Sequence, residues 1–163
     1  MARVYVGIGT NIDRERNLRS GLHTLQERFG PLTLSALYEG RAIGFEGDNF
    51  YNLAAAFDTG LEVRAVAAAL RDIEHCHGRP AHIAKFSART LDIDLLLYDD
   101  LVIDEPDLRL PREDIVKYAY VLRPLAEIAA GVRHPVNGKT IAEIWRGFEN
   151  VDGDLWPAPL NLG

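Results

Sequence analysis

The sequence contains a single cysteine, Cys76, and little positive charge. One cysteine among 163 residues excludes an internal disulfide framework and is typical of a reducing compartment, so we expect a cytoplasmic protein. Lys and Arg total 18 against 24 Asp and Glu, and the resulting net charge of −6 disfavours a general nucleic-acid binder. No apolar run approaches the length of a membrane span, and no signal peptide precedes the first predicted strand. We therefore expect no membrane or nucleic-acid partner.

The composition is that of an ordinary globular protein. Hydrophobic residues make up 47% of the chain and charged residues 26%. The length favours one domain over residues 1–163, and a monomer is expected. From about residue 151 the chain carries Pro157 and Pro159, and we expect this tail to be loosely ordered.

Hydrophobic periodicity predicts strands and helices in the order strand, helix, strand, strand, helix, strand. The predicted strands cover 3–8, 32–38, 50–57 and 90–98, and the predicted helices cover 14–29 and 63–77. This order indicates an α+β, ferredoxin-like split βαβ core, with a mainly antiparallel sheet and the helices on one face. A short strand over 101–103, an extended loop over 104–111 and extra C-terminal helices within 112–130 and near Trp145 complete the prediction.

Two carboxylates lie in the last predicted strand of this core. Asp92 and Asp94 are two residues apart, so in a strand both point to one face, while Leu91, Ile93, Leu95 and Leu97 point to the other. So apolar a strand is expected to be central, and paired carboxylates there need a cation such as Mg²⁺. The alternative is an edge strand whose polar face is solvated, since an Asp-x-Asp pair alone is a weak motif.

Several blocks of sequence around this pair resemble the 6-hydroxymethyl-7,8-dihydropterin pyrophosphokinase family of folate biosynthesis. The similarity covers about the first 145 residues. The blocks are GIGTN at 7–11, YNL at 51–53, IE at 73–74 with GR at 78–79, RTLDID at 89–94, LP at 110–111 and PLAEIA at 124–129. Blocks that match in order and spacing are more specific than any one of them.

The resemblance implies a diphosphate transfer from ATP to the hydroxymethyl group of the reduced pterin, with release of AMP. It implies two Mg²⁺ ions with Asp92 and Asp94 as ligands, in agreement with the need of this pair for a cation. Such a reaction depends on positioning and charge neutralisation. ATP and hydroxymethyldihydropterin are the implied small-molecule partners.

The resemblance also implies a pterin site. Asn52 would read the polar edge of the ring, and Phe50 and Tyr120 would stack on its faces. The main chain of the stretch 40–45, with Gly40, Ala42 and Ile43, would line the pocket. The alternative for each of the two aromatic residues is an ordinary place in the core.

On the nucleotide side, the resemblance implies contacts with ATP from charged and apolar residues. These are Glu74, Lys85, Arg89, Leu95, Leu110 and Arg112. Arg79 and Arg89 join the two aspartates as implied catalytic residues, and the segment 79–88 matches a loop that closes over ATP. Arg79 and Lys85 could instead be solvated loop charges, and Arg112 a surface charge at the start of a helix.

The sequence departs from the family pattern at several positions, which suggests a divergent subgroup. Gly40-Arg41-Ala42 replaces Thr-Pro-Pro, Phe86-Ser87-Ala88 replaces Trp-Gly-Pro, Ala81 and Tyr118 replace arginines, and Arg112-Glu113 replaces His-Tyr. Two alternatives to the transferase therefore stay open here: a binding paralogue that transfers nothing, and a metal-dependent phosphohydrolase that uses the same two aspartates.

Overall fold

The computed structural model describes residues 1–42, 47–78, 90–149 and 155–160. The strands are β1 (Ala2–Thr10), β2 (Thr33–Leu34), β3 (Tyr38–Gly40), β4 (Phe50–Thr59), β5 (Asp92–Tyr98), β6 (Ile103–Glu105), β7 (Leu108–Leu110) and β8 (Leu155–Pro157). The helices are α1 (Arg14–Phe29), α2 (Val63–Cys76), α3 (Asp114–Lys117), α4 (Ala119–Ile128) and α5 (Ile141–Arg146). No helix in these ranges combines the length and the apolar character needed to cross a lipid bilayer.

The main sheet is antiparallel and has the order β5-β1-β4-β3-β8, with β2 also paired to β4. The predicted α+β fold, with the split βαβ order and a mainly antiparallel sheet, is confirmed. The predicted second strand is two short strands instead. It is interrupted at Ser35, whose hydroxyl accepts the Ala54 N–H at 2.9 Å in place of a ladder carbonyl.

The two helices of the split βαβ core, α1 and α2, pack on one face of the sheet as expected, and the extra C-terminal helices cover the other face. The first core lies under α1 and α2 and includes Val6, Ile8 and Phe57. The second core lies under α3, α4 and α5 and includes Ala54 and Leu122. Because α4 presents an apolar face of its own, it has to bury that face, and the alternate residues of β1 and β4 provide the surface.

Strand β5 ends the sheet, which corrects the expectation of a central strand. It is apolar because both its faces are covered, and its outer edge is closed locally. The Glu74 carboxylate accepts the Ile93 N–H at 2.8 Å, and the Arg112 N–H donates to the Leu96 carbonyl at 3.0 Å. A shift in pairing with β1 turns Leu97 into the second core, so the predicted alternation of β5 fails there.

Two further segments are more regular than predicted. The stretch expected as strand 101–103 and loop 104–111 forms the hairpin β6–β7, which Arg64 of α2 holds through Glu105 and, at 2.8 Å, Asp107. The expectation of a loosely ordered tail is wrong for Leu155–Pro157, which pairs with β3 as strand β8. These pairings connect residues far apart in sequence, and local periodicity does not indicate them.

Candidate active site

One row of residues crosses the sheet from its β5 edge towards β3. Asp92 on β5 pairs with Gly9 on β1, Gly9 pairs with Asn52 on β4, and Asn52 pairs with Tyr38 on β3. We call these four residues the glycine row. Paired residues point to the same face, so Asp92 and Asn52 share a face, with main chains about 10 Å apart across two strand spacings.

The next row confirms that the two aspartates share a face. Asp94 pairs with Gly7, and Gly7 pairs with Ala54, which belongs to the second core. The carboxylate pair therefore lies on the side of the sheet that α4 covers. Gly7 and Gly9 contribute no side chain to this face, so a strip of β1 main chain, which we call the trough, lies between the strand of the carboxylates and that of Asn52.

Gly9 gives the trough its shape. A Cβ atom at this position would lie 3.1 Å from Asn52 Oδ1 and 3.8 Å from Phe50 Cδ1. The Asn52 carboxamide and the Phe50 ring therefore lean over β1 and use the space that a side chain would fill. Asn52 is 6% exposed, and its amide can present both a donor and an acceptor.

The carboxylate pair has unfavourable electrostatics. Burial raises the pKa of Asp94 well above its usual range, and the adjacent Asp92 raises it further, whereas Arg112 acts in the opposite direction. A carboxylate whose charge is disfavoured by a neighbouring carboxylate is a natural site for a cation. No cluster of three or more His, Cys, Asp or Glu side chains suited to a metal occurs in the described ranges. Mg²⁺ needs only one or two carboxylates when phosphate oxygens and water complete its shell, so the pair fits this ion.

Arg112 lies beside the pair and is not a simple surface charge. Its Nη2 is 3.6 Å from Asp94 Oδ1, and its Nε is 3.5 Å from Asp114 Oδ2. Burial opposes the charge of Arg112, but the carboxylates of Asp94, Asp114 and Asp92 outweigh it and raise the pKa of the guanidinium. Its Nε is buried and makes no hydrogen bond of good geometry. The Arg112 guanidinium is therefore a permanent positive charge at the site, and not all of its N–H groups are used in hydrogen bonds.

Two tyrosines close the site from the side of the helices. Burial, together with the charges of Asp114 and Asp94, raises the pKa of Tyr120, so its phenol is neutral. The Tyr120 ring stacks on that of Tyr118, with centroids 5.2 Å apart and an angle of 23°. Tyr120 therefore lies near the carboxylates on α4, while Phe50 lies on the sheet beside Asn52.

The remaining predicted site residues fall into three groups. Gly40 pairs with Phe50 at the end of β3, and Ala42 lies two residues further on. Glu74, Leu95 and Leu110 lie at or behind the β5 edge: Glu74 is used by the Ile93 N–H, and the two leucines belong to the first core, 7% and 2% exposed. The predictions for Ile43, Arg79, Lys85 and Arg89 fall outside the described residues.

Three residues that contribute to the site were not predicted from the sequence. Gly9 was part of a matched block, but its place between Asp92 and Asn52 depends on strand register. Asp114 holds Arg112, and Tyr118 stacks on Tyr120; both lie in a segment predicted only as partly helical. The position of Asp114 two residues after Arg112 was the available signal for their contact. The i, i+2 spacing of Tyr118 and Tyr120 was the available signal for their stacking.

A separate polar cleft opens on the opposite face of the sheet, near the start of α1. Its volume is about 430 Å³. Its lining residues are Asn11, Asp13, Arg14, Glu39, Gly47, Asp48 and Asn49. None of the residues predicted for substrate binding lines this cleft, and Arg14 within it is already paired with Glu39. This cleft is therefore separate from the candidate active site at the glycine row.

Comparison with known proteins identifies the family to which this chain is similar. The family model described as 7,8-dihydro-6-hydroxymethylpterin-pyrophosphokinase (HPPK) matches residues 5–130. The chain is 34% identical to a 2-amino-4-hydroxy-6-hydroxymethyldihydropteridine pyrophosphokinase of Aquifex aeolicus, over 88% of this chain and 90% of that protein. It is 32% identical to the protein of the same name from Pseudomonas aeruginosa, over 93% and 98%.

Solved structures support the fold. A crystal structure of Plasmodium falciparum HPPK-DHPS with pterin and p-hydroxybenzoate has a TM-score of 0.73 at 14% identity, over 96% of this chain. This chain spans only 46% of that longer one. The family match includes β1, β4 and β5, the three strands that carry the glycine row between Asp92 and Asn52. The resemblance read from the sequence blocks is confirmed, and the chain belongs to the 7,8-dihydro-6-hydroxymethylpterin-pyrophosphokinase family.

Proposed function

We propose that this protein transfers the diphosphate group of ATP to the hydroxymethyl oxygen of 6-hydroxymethyl-7,8-dihydropterin, a step of folate biosynthesis. One observation carries the proposal in a chain of this family. The acidic pair and Asn52 share one face of the sheet, on either side of the β1 residues Gly7 and Gly9, which carry no side chain themselves. A metal-bound phosphate donor at one end and a flat acceptor at the other would meet across this trough.

The acceptor half of the site is built on β3 and β4. The Asn52 carboxamide binds the polar edge of the pterin, and the Phe50 ring covers one face. Tyr120 approaches from α4, where its neutral phenol and ring provide the other face. Main-chain groups of Gly40, Ala42 and Ile43 complete the pocket.

Asp92 and Asp94 would hold Mg²⁺, and we propose two ions. When bound, Mg²⁺ neutralises charge on the phosphate oxygens. The two aspartates fix where that charge is neutralised, because both belong to a strand closed on its outer edge by Glu74. Arg112 adds a fixed positive charge beside Asp94, where the other nitrogens of its guanidinium can contact a phosphate oxygen.

The nucleotide half of the proposal includes Glu74, Lys85, Arg89, Leu95 and Leu110. Of these, Glu74 caps the edge of β5 through Ile93, and the two leucines form the core behind that edge. Arg79 and Arg89 belong to the proposed catalytic set together with the aspartates. A segment that covers ATP would exclude water, so that the diphosphate passes to the pterin.

The transfer requires little covalent work from the protein. The hydroxymethyl oxygen attacks the β-phosphorus of ATP, the bond from that phosphorus to the α-phosphate's bridging oxygen breaks, and AMP leaves with that oxygen. The hydroxyl proton is released to solvent or to a phosphate oxygen. Positioning by the glycine row and charge neutralisation at Asp92 and Asp94 account for the rate enhancement in this scheme.

A product assay tests the proposal. Purified protein is incubated with ATP, Mg²⁺ and hydroxymethyldihydropterin, and AMP and the pterin diphosphate are separated and quantified. We expect both products in equal amounts and no AMP without the pterin. Pterin binding without AMP formation would identify a non-catalytic paralogue, and phosphate release without pterin would identify a phosphohydrolase; either result would overturn the proposal.

A further inference from the structure

Arg14 occupies an unusual place in the fold. It is the first residue of α1, where a positive charge is opposed by the helix dipole. The side chains of a helix lean towards its N-terminus, so Arg14 reaches past the start of α1 to the point where β3 ends and β4 begins. A partner there must offset the unfavourable position.

That partner is Glu39, one residue before Gly40. Arg14 Nη1 donates to Glu39 Oε2 at 2.8 Å, and the same nitrogen donates to the Asn49 carbonyl at 3.2 Å. Glu39 immediately precedes the segment 40–49, and Asn49 is its last residue. One guanidinium therefore joins both described ends of the segment that precedes the proposed pterin residue Phe50.

Three further groups complete this contact, which we call the clasp. Asn49 Nδ2 donates to Glu39 Oε2 at 3.3 Å, and the Arg14 guanidinium lies 3.9 Å from the centre of the Tyr51 ring. Trp156 of β8 pairs with Glu39, and the nearby Trp156 side chain helps to lower the pKa of the carboxylate. The tail strand therefore supports the same carboxylate from the other edge.

The clasp lies on the opposite face of the sheet from the glycine row. Glu39 pairs with Tyr51, whereas its neighbours Tyr38 and Gly40 pair with Asn52 and Phe50. Alternate residues of a strand point to opposite faces, so the clasp acts on the pterin residues only through the main chain. With 28% and 19% of their side chains exposed, Arg14 and Glu39 are partly shielded from solvent, unlike the surface pair Arg19–Glu15 of the same helix.

We propose that Arg14, Glu39 and Trp156 are positioning residues for the pterin: they hold the ends of the segment 40–49 so that Gly40, Phe50 and Asn52 are ordered before the substrate arrives. This inference rests on the proposed function. It predicts a specific loss of pterin affinity when the clasp is opened, since Gly40, Phe50 and Asn52 would have to be positioned at the expense of binding.

The test measures the two substrates separately. Dissociation constants for hydroxymethyldihydropterin and for a non-hydrolysable ATP analogue with Mg²⁺ are measured by calorimetry on wild type, Arg14→Met, Glu39→Gln and Trp156→Phe. We expect Arg14→Met to weaken pterin binding about tenfold, the equivalent of one charge-assisted hydrogen bond, and ATP-analogue binding by less than about twofold. Trp156→Phe, which removes one N–H and keeps a ring, should weaken pterin binding about threefold.

Matched variants separate positioning from general stability. Arg19→Met removes the exposed arginine of the same helix and should leave both dissociation constants unchanged. Arg14→Lys keeps the charge towards Glu39 but cannot also cover Asn49 and Tyr51, so it should restore part of the lost affinity. The double variant Arg14→Met/Glu39→Gln should bind pterin no worse than the weaker single variant, because both changes open the same contact.

Several outcomes would overturn the inference. They are an unchanged pterin constant in Arg14→Met, equal loss for pterin and nucleotide, and additive losses in the double variant. If Arg14→Met does not fold, Glu39→Gln and Trp156→Phe decide by the same measurement. A wild type that binds pterin but releases no AMP contradicts the transferase proposal alone, whereas a wild type that binds no pterin contradicts both.

Discussion

Two arginine–carboxylate contacts lie on opposite faces of the sheet, and they differ in how completely the carboxylate is neutralised. Glu39 accepts a hydrogen bond from Arg14 at 2.8 Å and another from Asn49 at 3.3 Å. These contacts, with that of Arg14 the largest cause, and the nearby Trp156 lower the pKa of Glu39 despite burial. Asp94 lies 3.6 Å from the guanidinium of Arg112, which also contacts Asp114. Burial and the adjacent Asp92 raise the pKa of Asp94.

The difference separates a structural pair from a ligand site. The charge of Glu39 is matched within the protein, so this contact can stabilise the fold without any further group. The charge of Asp94 is disfavoured by burial and by the adjacent Asp92 more than Arg112 favours it, and a cation would relieve this arrangement. The following predictions test this comparison in order of decreasing expected effect.

The largest effect is expected when the acidic pair is removed. Asp92→Ala and Asp94→Ala should each lower AMP formation by about 1000-fold or more, because charge neutralisation of the phosphates is lost at the reacting group. Asp58→Ala is the matched control: this aspartate is exposed, contacts Arg3 at 3.3 Å and lies at the other end of the sheet. Activity within tenfold of wild type in both variants would mean that the pair is structural.

The second prediction concerns the trough between the two halves of the site. Gly9→Ala places a Cβ 3.1 Å from Asn52 Oδ1, so the carboxamide must move from its position at the pterin edge. We expect pterin affinity to fall about 30-fold, as for the loss of a specific polar contact, with nucleotide affinity unchanged.

Gly7→Ala is the control for Gly9→Ala on the same strand. Its Cβ would lie 3.5 Å from a Leu96 methyl, which is an ordinary van der Waals contact. Pterin binding, measured by calorimetry without nucleotide, should change by less than about twofold. Equal losses in both variants would show that β1 tolerates no methyl group on this face and that Asn52 has no special role.

The residues in these predictions differ in how far the sequence alone indicates them. The two-residue spacing of Asp92 and Asp94 indicates a shared face because strand geometry is local, and Asn52 follows from a matched block. Gly9, Asp114 and Trp156 become meaningful only through the pairing of β1 with β4 and β5, the position of Arg112, and the pairing of β8 with β3. Register and edge position depend on contacts distant in sequence, which explains why β5 was expected to be central and the tail loosely ordered.

The third prediction contrasts the stability effects of the two carboxylates. Asp94→Asn removes a carboxylate whose charge is disfavoured by burial and by Asp92, and it should stabilise the metal-free protein by about 1 kcal/mol, the usual scale for relief of strain at a functional site. Glu39→Gln leaves Arg14 without its counter-charge and should destabilise it by a similar amount, about 1 kcal/mol.

Urea unfolding with a chelator present measures both free energies of unfolding. The opposite signs are the decisive result, because each variant makes the same chemical change from carboxylate to amide. If both variants lose stability, the carboxylate of Asp94 is neutralised within the protein like that of Glu39, and the contrast between the two sites fails.

The smallest effect is the pH dependence of the clasp. The pKa of Glu39 is lower in the folded protein than in the unfolded chain, so the folded state binds its proton less readily and the charge of Glu39 contributes stability above the unfolded pKa. This contribution is lost as the pH falls through the lowered folded pKa. The free-energy difference between wild type and Glu39→Gln should therefore be constant near neutral pH and shrink on acidification. Glu15→Gln, which removes an exposed carboxylate from α1, should show little difference at any pH. A Glu39 difference that persists in acid would mean that the clasp depends on hydrogen-bond geometry alone, and charge would then no longer distinguish it from the site at Asp94.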